Sequence, residues 1–115
     1  MKKTYRVKKN EEIGNILNGQ KKQGNKNYII YTKKDSEANH FRLAMSVSKK
    51  LGNAVVRNRQ KRLIKQVFIE KKNEIQAYDI FVIAKNNSIN LTYDEVKKEI
   101  CNLLTRLKVL KEEKQ

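Results

Sequence analysis

The apolar spacing of this chain changes period at Gly52-Asn53, and that change decides most of what the chain can fold into. Before the break, Phe41, Leu43, Met45 and Val47 alternate with Arg42, Ala44, Ser46 and Ser48, the period of a half-buried strand. After it, Val56, Leu63, Ile64 and Val67 fall on one side of a helix that runs from Ala54 to near Lys72, with Phe68 at the edge of that side. Tyr78 to Ala84 is then an almost continuous apolar run of strand length, which suits a central strand covered on both faces. Strand, helix and strand in this order commit the region to a sheet with a helix packed on it.

The flanks complete the pattern. Asn10-Glu11-Glu12 reads as a helix start, with a capping side chain and acids in the first turn where the helix dipole favours them. Ile13, Ile16 and Leu17 give this helix a short apolar face, and Asn18-Gly19 supplies its stop. Gln20 to Lys26 reads as a polar loop and Tyr28 to Thr32, rich in β-branched and aromatic residues, as a first strand. Lys33 to Asn39 and Lys85 to Asn90 are polar connections. Thr92 and Glu95 form a capping box ahead of a core-facing helix carrying Val96, Ile100, Leu103, Leu104 and Leu107. The order α-β-β-α-β-α predicts an α+β fold, one small sheet packed with helices in a two-layer sandwich. At 115 residues, a single domain spanning 1–115 is expected.

Charge narrows the function. There are 27 Lys and Arg against 12 Asp and Glu, a formal +15, and such an excess on a small domain repels itself unless a polyanion neutralises it. All of it lies in residues 1–72, which hold 20 basic and 5 acidic side chains, while residues 73–115 hold 7 of each. Arg42 to Ile69 contains eight Lys or Arg and no acid. On a helix, Asn58, Lys61, Arg62 and Lys65 share one face at i, i+3, i+4 and i+7, opposite Val56, Leu63 and Val67, with Arg57 and Arg59 flanking it. Arg grips phosphate oxygens in pairs, Lys adds unoriented charge, and Asn reaches a base edge or a 2′-hydroxyl. A merely solvated basic face is the ordinary alternative, but solvated helices intersperse Glu for i,i+4 support, and this one has none from 54 to 69.

Other classes are disfavoured. No stretch approaches the ~18 apolar residues of a membrane span, and Met1 to Lys9 leads into no signal core, so the chain is expected in the cytoplasm with no membrane partner. Cys101 is the only cysteine and His40 the only histidine, which excludes an internal disulfide and a Cys/His zinc set; a buried thiol and a surface histidine are expected. Asp35, Glu37 and His40 sit together only in a polar connection without rigid support. No catalytic residue and no metal ligand are expected on the protein, which alone should cleave no RNA.

The run from Ser46 to Lys65, SVSKKLGNAVVRNRQKRLIK, resembles the RNR motif region of the protein component of bacterial ribonuclease P. Weaker similarity extends over Tyr28 to Thr32, Phe41 to Leu43 and Asp79 to Lys85. The resemblance implies a basic subunit of a ribonucleoprotein that removes the 5′ leader of precursor tRNA. The cutting there is done by the RNA, and the RNA-containing holoenzyme requires Mg²⁺. The implied partners are ribonuclease P RNA, with one protein per catalytic RNA, and precursor tRNA. The implied fold is similar to a domain of a small-subunit ribosomal protein, with a left-handed βαβ crossover against the right-handed base rate.

By the same resemblance, a surface of Lys49, Lys50, Asn53, Arg57, Asn58, Arg59, Lys61, Arg62 and Lys65 faces the catalytic RNA. A cleft between the sheet and the first helix, with Ile13, Leu17, Tyr28, Tyr31, Arg42, Ser46 and Ser48, takes the leader, since bases stack on rings while the backbone tracks charge. The chain departs from the family pattern at Ile13 and Leu17, where phenylalanines are usual, at Lys65, commonly Arg, and at Asn86 or Asn87, where a proline is usual. A ribosomal-protein-like or chaperone-like RNA binder with no role in tRNA cleavage is the alternative. DNA binding ranks third, for want of a helix-turn-helix pair or a dimer seam.

Overall fold

The structure is a computed structural model that describes residues 5, 13, 14, 16, 21–34, 39–85, 88 and 90–111. In chain order it contains β1 (Lys21–Gly24), β2 (Tyr28–Lys34), β3 (Arg42–Val47), a 3₁₀ turn (Lys49–Leu51), α1 (Ala54–Glu70), β4 (Tyr78–Ala84) and α2 (Tyr93–Arg106). The strands make one sheet in the order β1-β2-β4-β3, with β4 antiparallel to β2 and parallel to β3. Adjacent parallel strands cannot be joined by a hairpin, so α1 is the crossover between β3 and β4.

Strand alternation sorts the sheet into two faces. Tyr28, Ile30, Leu43, Val47, Ile80, Val82 and Ala84 meet Ile64, Val67 and Phe68 of α1 and Val96, Ile100, Leu103 and Leu104 of α2 in the main core. The opposite face carries a smaller cluster, Ile16, Ala44 and Phe81, with Ile13, Tyr31 and Ile83 packed on it. Central β4 is thus covered on both sides, as its apolar run requires. The box at Thr92 forms on both arms, Glu95 N to Thr92 Oγ1 at 3.3 Å and Thr92 N to Glu95 Oε1 at 3.0 Å. No helix among the described residues is long and apolar enough to cross a membrane.

Four expectations need correcting. Gln20 to Lys26 is not all loop, because Lys21–Gly24 pairs antiparallel with β2, which itself runs on to Lys34. An edge strand such as β1, mostly exposed, has no apolar alternation to betray it. Phe68 is not at the margin of the α1 interface but fully buried, against Phe41 at 5.6 Å between ring centroids. His40 is half-buried rather than on the surface, its ring 4.0 Å from that of Tyr5 and its Nδ1 2.7 Å from the Phe41 carbonyl oxygen. Cys101 is half-exposed and free, and burial of its sulfur pushes the thiol up, away from the reactive thiolate. Of the first helix, Ile13, Gly14 and Ile16 are helical, and the remainder of the span from Asn10 to Gly19 lies outside the described residues.

The turn between β1 and β2 is locked from two directions. Asn25 Oδ1 accepts from the backbone N–H groups of Asn27 and Tyr28, each at 2.8 Å. The Glu99 carboxylate on α2 accepts from Asn27 Nδ2 at 2.6 and 2.7 Å and from Asn25 Nδ2 at 3.1 Å, and Lys85 Nζ donates to the Asn25 carbonyl at 2.7 Å. Asn27 is buried, so losing its acceptor strands an amide away from water. Glu99→Ala is therefore expected to lower the unfolding free energy by about 1–3 kcal/mol, measured by urea denaturation. A Glu99→Ala protein as stable as the parent would show that the turn does not depend on this carboxylate.

Candidate nucleic-acid interface

The basic helix is aimed by the short segment ahead of it. Ser48 Oγ accepts from Lys50 N at 3.2 Å to cap the 3₁₀ turn, and Asn53 Oδ1 accepts from Val56 N at 3.1 Å to cap α1. Between them Gly52 has φ of 147°, and a Cβ there would lie 3.0 Å from the Val56 Cβ. Only glycine tolerates both the backbone and the contact. Leu51, buried, pins the turn to the core.

With that start, α1 buries Gln60, Ile64, Val67 and Phe68 and turns its other side outward. Val55, Asn58, Lys61, Arg62 and Lys65 line one open depression of about 490 Å³. The four polar members are the residues expected to share a face. Glu70, the first acid after them, is engaged with Lys97 of α2 at 2.9 Å. Among the described residues no carboxylate pairs with Asn58, Lys61, Arg62 or Lys65. An outward, uncompensated row of this kind can bind a phosphate backbone.

The other residues expected on this surface divide. Arg59, Lys49 and Lys50 are exposed, Arg59 on the flank of α1 and the two lysines in the 3₁₀ turn. Arg57 is half-buried on the same inner edge as Gln60 and Ile64, with its Nε shielded from water and without a hydrogen-bond partner. Asn53 spends its carbonyl oxygen on the helix cap. Gln60 is an unexpected polar residue in the core, its Nε2 2.6 Å from the Ser88 carbonyl oxygen and its Oε1 unpaired.

The second surface is the sheet face turned away from α1 and α2. Register places Lys22, Tyr31, Phe81 and Ala44 in one row across the four strands, and Gly24, Ile29, Ile83 and Ser46 in the next. Ile13 and Ile16 pack against the Tyr31–Phe81–Ala44 cluster. Lys22 Nζ lies 5.8 Å from the centroid of the half-buried Tyr31 ring. In the third row, the Arg42 guanidinium grips Asp79 twice, Nε to Oδ1 and Nη2 to Oδ2, both at 2.8 Å. The face is a shallow aromatic and aliphatic floor with polar margins.

Of the residues expected in this cleft, Tyr31, Ile13, Arg42 and Ser46 lie on this face, and Leu17 lies outside the described residues. Tyr28 is a correction. Three residues before Tyr31 on the same strand, it necessarily points the other way, and it is fully buried beneath α2. Burial and the Glu99 charge together push its hydroxyl far above the usual phenol range. Ser48 has left the strand, and its Oγ holds the turn before α1. Phe81, Ile83, Ile29 and Lys22 were not anticipated. Reading the alternation of β4 from Asp79 locates the first two, whereas Lys22 has no signal until β1 is recognised as a strand.

Among the described residues no group of three His, Cys, Asp or Glu side chains could hold a metal ion. Asp35 and Glu37 lie outside them.

Comparison with known proteins gives one consistent result. A family model described as Ribonuclease P matches residues 1–108. The ribonuclease P protein component of Listeria innocua is 42% identical over 113 residues, covering 97% of this chain and 95% of that protein. That of Macrococcus caseolyticus is 47% identical over 100 residues, with 87% of each covered. The structure of the Staphylococcus aureus RNase P protein superposes with a TM-score of 0.86 at 40% identity, covering 91% of this chain and 96% of that one.

The two tyrosines of β2 provide a direct check on the face assignment. Truncating buried Tyr28 to Ala is expected to cost about 3–5 kcal/mol of stability, the range for large aromatic residues in cores, whereas Tyr31→Ala should cost well under that. Comparable losses in chemical denaturation would mean that Tyr31 is as much a core residue as Tyr28.

Proposed function

Because the chain belongs to the ribonuclease P protein family, we propose that it is the protein subunit of a ribonuclease P ribonucleoprotein in 5′ maturation of tRNA. In this reading α1 binds the catalytic RNA and the open sheet face binds the 5′ leader of precursor tRNA. One protein serves one catalytic RNA, in the cytoplasm. Hydrolysis of the phosphodiester belongs to the RNA, with the Mg²⁺ that the holoenzyme requires, and no side chain of the protein is assigned to it.

The observation that carries the reading is the outward row Asn58, Lys61, Arg62 and Lys65, which shares one depression and has no carboxylate partner among the described residues. Arg62 offers a bidentate fork to phosphate, Lys61 and Lys65 offer point charge, and Asn58 can read a base edge or a 2′-hydroxyl. On the sheet, Tyr31 offers a ring for base stacking while Ile13, Ile16 and Phe81 provide an apolar surround. Aliphatic contact therefore replaces the aromatic one at Ile13. A general RNA binder shares the charge and the fold, but not this combination with the Ser46 to Lys65 motif.

Reconstitution with a bacterial ribonuclease P RNA tests the reading. The protein should stimulate precursor tRNA cleavage at low Mg²⁺ and cleave nothing alone. Absence of stimulation, or cleavage by RNA-free protein, would remove it. Within the complex, Lys61→Ala and Arg62→Ala should each weaken binding to the catalytic RNA and make the slope of log K against log salt shallower by about 0.7–0.9, with the melting temperature unchanged. Parental affinity and slope in both variants would return α1 to a solvated basic face.

A further inference from the structure

The open sheet face is electrostatically lopsided. On its β3 side the one cation among the described residues, Arg42, is held by Asp79 through two 2.8 Å bonds. The middle is apolar, with Phe81 and Ala44 buried under Ile16. On its β1–β2 side stand Lys22 and Lys33, both exposed, and neither pairs with a carboxylate among the described residues. Lys33 is opposite Asp79 in the β2–β4 register, but Asp79 is committed to Arg42.

These two lysines frame Tyr31. Lys22 is its direct neighbour across β1 and β2, about 4.8 Å away in strand spacing, and Lys33 is two residues along β2, about 7 Å, on the same face. Their support is rigid, because the β1–β2 turn is fastened to α2 through Glu99. A single strand that stacks a base on Tyr31 has its charged backbone on one side of the ring and its base edge on the other. Among the described residues, the cations of this face that pair with no carboxylate, Lys22 and Lys33, stand on the hairpin side.

We propose that the β1–β2 hairpin carries the sugar–phosphate backbone of the leader, with Lys22 and Lys33 contacting phosphates on either side of the nucleotide stacked on Tyr31 and the base edges directed away from the hairpin. The inference rests on the assignment of the leader to this face. In the free protein Lys22 lies over the Tyr31 ring. An arriving base that stacks on the ring replaces this cation–π contact and brings a phosphate beside it, so the ammonium moves from the ring to the adjacent phosphate.

The test uses the complex of full-length protein with ribonuclease P RNA, and compares binding of precursor and mature tRNA across a salt series. Lys22→Gln and Lys33→Gln should each make the salt slope for precursor shallower by about 0.7, the single-strand value per phosphate. Mature tRNA, lacking the leader, should keep its slope. Replacing successive leader phosphates by neutral methylphosphonates should weaken binding to the parent at the contacted positions and add nothing in the matching lysine variant. Equal slope changes for both tRNAs would place the lysines on the tRNA body or the catalytic RNA and overturn the proposal. So would unchanged slopes in both variants while Tyr31→Ala still abolishes the preference for precursor, an outcome that leaves the leader on this face. If a well-folded Tyr31→Ala protein retains that preference, the leader assignment itself fails and the hairpin proposal fails with it.

Discussion

The architecture depends on one strand that is apolar on both faces. β4 places Ile80, Val82 and Ala84 against the helices and Phe81 and Ile83 toward the opposite side, and such a strand is stable only in the middle of a sheet with cover above and below. Its neighbour β3 runs parallel to it. That arrangement demands a crossover, and the intervening residues can span it only as a helix laid on the sheet. Once α1 must bury Ile64, Val67 and Phe68, the 3.6-residue period leaves Asn58, Lys61, Arg62 and Lys65 facing outward. The orientation of the basic row is thus a consequence of how β4 is covered.

The long motif from Ser46 to Lys65 mixes two kinds of constraint. Ser48, Gly52 and Asn53 bend the chain and start the helix, through a 3₁₀ cap, a backbone conformation reserved for glycine and a helix cap. The residues after them supply the charge. Ser48 and Asn53 each give a side-chain oxygen to an internal partner, so within the motif they shape the chain as well as offering polar groups. The geometry they impose is nonetheless what makes the later side chains usable, since a helix entering at another angle would spread the same cations differently.

Elements were legible in the sequence in proportion to the surface they bury. α1, β4 and α2 declare themselves by apolar period and by the Thr92–Glu95 box, because burial and capping both act through residue type at fixed spacing. β1 does not, since three of its four residues are exposed and its place at the edge is set by backbone pairing with β2, which any polar sequence can supply. Missing β1 also hid the polarity of the open face, for Lys22 reaches that face only as a strand residue beside Tyr31. The misplacement of Tyr28 has a different origin. Tyr28 and Tyr31 are equally aromatic and close in sequence, but an odd separation on a strand puts them on opposite faces, so composition of the segment says nothing about which ring is available.

Net charge overstates the interface in the same way. Of the eight cations between Arg42 and Ile69, Arg42 is tied to Asp79 and Arg57 is drawn toward the core side of α1 with its Nε dehydrated. Arg42 is therefore not an unencumbered point charge. A bidentate pair in which the partners' side chains are only 26% and 12% exposed serves instead to join β3 to β4, Arg42 and Asp79 being register partners. The other six lie in the 3₁₀ turn and on α1, while Lys22 and Lys33, outside that stretch, stand on the hairpin margin of the opposite sheet face. A single uniform basic patch would bind any polyanion with one set of contacts. In the proposed function the two surfaces would divide the occupant between them, a structured phosphate surface at α1 and a flexible single strand at the sheet, a division that the charge of +15 does not by itself specify.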